Sequence, residues 1–298
     1  MKSKFGARFL ITILVSSLIS IAILFATYKY SQQSLPKQAL PLPTTPTSQD
    51  LSTIIDTNQT SESTDDLKAK PAHEHLGYCL HLPILMYHHI QPMKRAEANN
   101  QKGLTVEPQV FDQQLAYLLK QGYHTIGVMD LVNALKNKTT LPAKSIIITL
   151  DDGYSDNNEF ALPTGEKYKF LLNFMIPTGF IDKGGYLGIK TLQAMDKSKY
   201  AAFYPHGVNH LLLAFQTDEV VNSETKNSIA TLQKDLGKID PVYTYPSGSY
   251  NDHVIDMLKN NGYVAAFSTI SGATQCDSEI YSLERIRIGN YPMTTYGF

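Results

Sequence analysis

Two adjacent carboxylates, Asp151 and Asp152, precede Gly153, and two histidines, His206 and His210, stand four residues apart in HGVNH. Neighbouring carboxylates repel each other unless water solvates them or a cation compensates them. Asp-Asp-Gly is also common turn chemistry, so the pair alone does not define a site. Histidines four apart on one helical turn face the same side and can share a metal; in isolation they are as readily surface or core histidines. Taken with one of the carboxylates, they make a three-ligand set with open coordination positions, as metal hydrolases use. A structural zinc site is not expected, because Cys79 and Cys276 are not spaced as ligands.

The elements that must position these groups follow a strand–helix rhythm from Gly77 onward. Strands are expected at 82–88, 124–128, 145–150, 171–176, 200–204, 242–245, 264–269 and 283–288. Amphipathic or long polar helices are expected at 111–121, 129–135, 218–236 and 252–260, with Gly122 and Gly262 as helix stops before strands. This alternation implies an α/β fold with a mainly parallel sheet and outer helices. About seven such strands imply a (β/α) barrel, complete or distorted. His88 and His89 end the first run, Asp151 and Asp152 follow the run SIIITL, His206 follows the run at 200–204, and Pro246, Ser247 and Gly248 follow VYTY. In a parallel barrel all C-terminal strand ends share one face, so these four distant segments converge there.

The rest of the chain bounds the biology. A net charge of -1 over 298 residues, without a Lys/Arg cluster, gives no footing for nucleic-acid binding. Lys2, Lys4 and Arg8 precede the apolar run FLITILVSSLISIAILFA, which reads as an N-terminal signal anchor or export signal over residues 1–30. Leu24 is a poor match for a cleavage site after Ala26. The Pro/Ser/Thr/Gln-rich stretch 31–76 lacks apolar periodicity and reads as a spacer, leaving 77–298 as a single catalytic domain. The expected location is therefore membrane-anchored with the domain outside the cytoplasm, or secreted if the segment is cleaved. Export permits a disulfide, but the spacing of Cys79 and Cys276 leaves open whether they pair. A monomer is expected.

Several of these segments carry a resemblance. TLDDGYSDNNEFALP (149–163), HGVNH (206–210) and YPSGSYND (245–252) resemble, in order, three motifs of the polysaccharide deacetylase (NodB-homology) family, carbohydrate esterase family 4. PILMYHHI (83–90) and VFDQQLAYLLKQGYHTI resemble the opening of its biofilm poly-N-acetylglucosamine deacetylase branch. The resemblance implies a distorted (β/α) barrel that removes N-acetyl groups from a GlcNAc-containing polysaccharide. It implies Asp151 as general base. It implies Asp152, His206 and His210 as ligands of one divalent ion, zinc in most members, with cobalt or nickel also suited to the donors. Ser247 N–H would serve the oxyanion, with Tyr245, Pro246 and Gly248 around the substrate. His88 would be the acid, and a neighbouring carboxylate would keep it protonated.

The chain also departs from the pattern. Thr244 stands where many members carry the Arg that steers the base, and the acidic partner of that Arg is missing around 265–268. Leu150 replaces a Phe, Gly207 replaces a Ser or Thr, there is no Trp, and no histidine follows Leu283 or Ile288. An O-acetyl carbohydrate esterase and a catalytically inactive glycan-binding protein are the competing readings. Poly-GlcNAc, peptidoglycan and chitin-like polymers are not distinguished.

Overall fold

A computed structural model describes residues 75–298. The expected anchor, and all of the expected spacer except His75 and Leu76, lie outside the described residues. Among the described residues, His75 already contacts the folded region, its Nδ1 lying 3.0 Å from Glu279 Oε2.

The strands are β1 (Cys79–His81), β2 (Ile84–Tyr87), β3 (His89–Ile90), β4 (Thr105–Val106), β5 (His124–Thr125) and β6 (Ser145–Leu150). They continue as β7 (Leu172–Ile176), β8 (Ala201–Pro205), β9 (Val242–Thr244), β10 (Ala265–Phe267), β11 (Thr274–Cys276) and β12 (Ile286–Arg287). The helices are α1 (Met93–Ala98), α2 (Pro108–Lys120), α3 (Val128–Asn137), α4 (Leu162–Tyr168), α5 (Ile189–Met195), α6 (Asp218–Leu236) and α7 (Asp252–Asn260). The main sheet has the order β12-β2-β6-β7-β8, with β5 also on β6, and every pair in it is parallel.

All six residues of β6 and all four of β2 are buried. That explains why both read as unbroken apolar runs rather than alternating ones: each strand is covered on both faces. Alternate residues part company all the same. Leu85, Tyr87, Ile146, Ile148 and Leu150 pack into one cluster under α2 and α4, whereas Ile84 and Ile147 pack into another. The second cluster also takes Met175 of β7, Tyr204 of β8, Val242 of β9, Ala265 and Phe267 of β10, and Leu283. Side chains from β2, β6, β7, β8, β9 and β10 thus meet in one cluster, where Val128, Leu131, Val132 and Leu135 of α3 join them.

The hydrogen-bonded ring itself is not closed among the described residues. β9 and β10 form a separate parallel pair, joined to the segment before β12 through the Phe267–Leu283 bridge, and no ladder joins β8 to β9.

One antiparallel pair stands apart from this pattern. β1 pairs with β11 in a register that sets Cys79 opposite Cys276, and the two are joined in a disulfide. The bond closes a loop across a sequence separation of 197 residues. By chain entropy a loop that long belongs near the upper end of the roughly 2–5 kcal/mol that native disulfides contribute. Reduction, or Cys79→Ser with Cys276→Ser, should lower the melting temperature measured by calorimetry. An unchanged value would show that the bridge constrains nothing the fold does not already hold.

Candidate active site

Because β2, β6, β8, β9 and β10 run parallel, the residues just beyond their C-terminal ends share a rim. A cavity of about 460 Å³ opens there, lined by His88, Asp151, Asp152, His206, His210, Ser247, Thr269, Arg285 and Arg287, among others. Asp152, His210 and Ser247 hold left-handed backbone conformations, with φ of 71°, 56° and 54°. Strain of this kind persists only where the surroundings fix it and is concentrated at functional sites.

Asp152 Oδ1 lies 3.4 Å from His206 Nε2 and 3.2 Å from His210 Nε2. His206 is 1% exposed, and its Nδ1 lies 2.8 Å from the Thr244 carbonyl. A carbonyl can only accept, so Nδ1 carries the hydrogen and Nε2 offers its lone pair toward Asp152. A lone pair facing a buried carboxylate at that distance calls for a second proton or a cation between them. The three donors, within 4.8 Å of one another, therefore fit a divalent ion. The Thr244 contact is the outer-shell bond that orients a ligating histidine. The segment 206–210 is not the helical turn expected from sequence. It is an irregular loop that turns at Gly207, with φ 73°, and at His210. Burial alone would raise the Asp152 carboxyl and lower the His210 imidazole. The contacts of Asp152 with His206 and His210 more than offset its burial and hold it well below the ordinary carboxylate range, while Asp152, with Asp151 behind it, raises His210.

Asp151, 3% exposed, faces a residue that sequence reasoning missed. Arg285, fully buried, forms a bidentate pair with it, Nη1 to Oδ1 at 2.7 Å and Nη2 to Oδ2 at 2.8 Å. Arg285 is itself anchored by Nε to the Ser268 carbonyl at 2.8 Å and Nη1 to Thr149 Oγ1 at 3.1 Å. Thr244 stands where the resemblance would place a steering arginine, and a guanidinium reaches this carboxylate from just before β12 instead. Burial pushes the Asp151 carboxyl up, and the Arg285 charge and hydrogen bonds, with His206 and His88 behind them, more than offset it, leaving the pKa lowered. The signal was present in LERIRI. Leu283 faces inward, strand side chains alternate, and so Arg285 had to face inward as well.

His88 and His89 part as their alternation requires. His88 lines the cavity. His89 turns away, 3% exposed, with Nδ1 2.6 Å from Asp156 Oδ2 and its ring stacked on Tyr154 at 3.5 Å between centroids. The expectation that neighbouring carboxylates keep His88 protonated does not hold. Burial lowers its pKa, aided by Arg285 and Arg287, and the pull of Asp151 and Asp152 does not make up the difference.

Of the residues expected around the substrate, Ser247 reaches the cavity. Gly248 supports it: its φ is 68°, and a Cβ there would run into Thr269. Pro246 is buried in the same short helical turn. Tyr245 is wholly buried, bonded through its hydroxyl to the Tyr281 carbonyl at 3.0 Å and stacked on Tyr250, so its side chain belongs to the core rather than to the cavity wall.

Residues 138–266 match the polysaccharide deacetylase family. The solved Streptococcus pyogenes deacetylase PplD, in complex with acetate, is 31% identical, with a TM-score of 0.65 over 70% of this chain and 92% of that one. A Bacillus subtilis (strain 168) protein that carries the family's name, YxkH, is 27% identical over 207 residues, 70% of this chain and 71% of its own. The poly-beta-1,6-N-acetyl-D-glucosamine N-deacetylase of Staphylococcus aureus is 26% identical over 206 residues, 63% of this chain and 69% of that one. The chain belongs to the polysaccharide deacetylase family.

Proposed function

We propose that this chain is a divalent-metal-dependent hydrolase that removes N-acetyl groups from a GlcNAc-containing polysaccharide, on a β/α barrel left open at the β8–β9 seam. The observation that carries this reading is one cavity holding an ionised carboxylate locked to a buried arginine, Asp151–Arg285, beside the converging donors of Asp152, His206 and His210. The acetate held by the streptococcal relative and the substrate named for the staphylococcal one support it. The disulfide fits an oxidising compartment, in keeping with export of the domain behind the anchor at residues 1–30.

Asp152, His206 and His210 would hold the ion. Zinc suits the donors, and cobalt or nickel would also serve. When bound, the ion supplies Lewis acidity toward the amide carbonyl. Asp151 takes a proton from the attacking water, and Arg285 keeps it ionised and fixes its direction. Ser247 N–H donates to the carbonyl oxygen as charge builds on it. His88 returns a proton to the departing amine, so amide and water become amine and acetate.

The deciding experiment measures acetate release from GlcNAc oligomers together with metal content. Wild type should release acetate and carry about one equivalent of a divalent ion, as a site with these open positions does. His206→Ala should lose both. Release from acetylated xylan and not from GlcNAc oligomers would make the enzyme an esterase; metal without release from either would make it a binding protein.

The lowered pKa of His88 gives a second test. An acid must be protonated to work, so kcat/KM should fall as pH rises through a value below the ordinary histidine pKa of ~6.5. His88→Ala should keep its metal, lose roughly 10²-fold or more in turnover, and lose that alkaline limb. His89→Ala should affect turnover less and stability more, since it removes the buried Asp156 partner. The reverse order of effects on turnover would assign the acid to His89.

A further inference from the structure

Helix α6 is polar along most of its length, and one stripe packs inward: Val221, Glu224, Thr225, Ser228 and Leu232. Helical periodicity calls for an uncharged residue at position 224, yet the glutamate there is 2% exposed. No lysine or arginine pairs with it among the described residues. Its oxygens are instead used up by the loop between the two site histidines. Oε2 accepts from Val208 N–H at 2.7 Å and from Asn209 N–H at 2.8 Å, and Oε1 accepts from Asn209 Nδ2 at 2.7 Å.

Every partner of this side chain is a donor, the pattern an ionised carboxylate satisfies and a protonated one does not. Successive amides turned toward one anion form a nest. The loop is shaped to the carboxylate at Gly207 too, where φ is 73° and a Cβ would sit 2.9 Å from Glu224 Oε2 and 3.1 Å from the Tyr243 hydroxyl. Burying a charge is costly unless it is bonded, and here what its bonding fixes is the path from His206 to His210.

We propose that Glu224 is a positioning residue for the ion site: it holds the loop so that His206 and His210 both turn Nε2 toward Asp152, and its retained negative charge favours a cation there. Glu224 touches no substrate and none of the three donor side chains, and acts through the amides of Val208 and Asn209. The inference rests on the proposed reading of Asp152, His206 and His210 as ligands.

The test uses the full chain, with zinc and cobalt affinities measured by competition against a chromogenic chelator, and amide exchange at Val208 and Asn209 followed in metal-free protein. Glu224→Gln keeps the shape, since its oxygen can accept both backbone N–H groups once the Asn209 amide turns over, but it removes the charge. Glu224→Ala removes both charge and acceptors. Outer-shell partners are worth roughly 10–100-fold in metal affinity, so Glu224→Gln should bind about 10-fold more weakly and Glu224→Ala about 100-fold, with exchange at Val208 and Asn209 faster in the alanine variant. If Glu224→Ala does not fold, Glu224→Gln decides. Affinities within twofold of wild type in the folded variants would overturn the proposal and leave the ligand assignment standing. A wild-type protein with no measurable affinity would remove the ligand assignment and this inference with it.

Discussion

Asp151→Asn should bind the divalent ion as the native chain does and lose roughly 10²–10⁴-fold in turnover, the span a general base contributes. The two parts separate because Asp151 and Asp152 face different partners. Asp152 points at His206 and His210, and Asp151 points at Arg285. An asparagine keeps the shape but cannot take a proton from water. Its amide nitrogen would also oppose one of the guanidinium nitrogens, so a bidentate pair becomes a single bond. The variant should therefore melt below wild type, and turnover must be measured well below that melting temperature. Near-native turnover with full metal content would remove Asp151 from the mechanism.

What could be read from sequence followed the range of the interactions involved. The bounds of β6, α6 and α7 agree with the expected segments, because local apolar pattern and helix capping set them; Thr217 and Asn251 each accept a bond at the helix start. The convergence of His88, Asp151, Asp152, His206 and Ser247 followed from parallel strands alone. The pairing of β1 with β11 was not legible, nor was the disulfide that ties them: nothing local in CLH or TQC marks a partner across the whole domain. The 206–210 segment reads as a helical turn by spacing, and tertiary bonding made it a loop. The Arg285–Asp151 pair was hidden because position 244 lies on one strand, whereas a guanidinium can enter the same space from another. The charge next to Asp151 comes from Arg285, just before β12.

Arg285→Met should lower stability strongly, because the side chain it removes is fully buried against Asp151. Removing one partner of a buried ion pair leaves the other uncompensated, which costs about 3–5 kcal/mol. For a domain of this size that is a fall in melting temperature on the order of 10 °C. Replacing both charges is expected to be milder than replacing one, so Arg285→Met with Asp151→Asn should regain part of the loss and none of the turnover. The sign of the pH dependence follows from Asp151, whose carboxyl is held low in the folded chain. Its contribution is present above the unfolded aspartate value of ~3.9 and is lost as pH falls through the lower folded value. The stability gap between wild type and Arg285→Met should accordingly close in acid. Turnover shifts the other way. Without the guanidinium, burial pushes the Asp151 carboxyl up, so the acidic limb of whatever activity remains should move to higher pH. An Arg285→Met protein as stable as wild type, with an unmoved acidic limb, would mean that the guanidinium neither holds the fold nor sets the ionisation of the base.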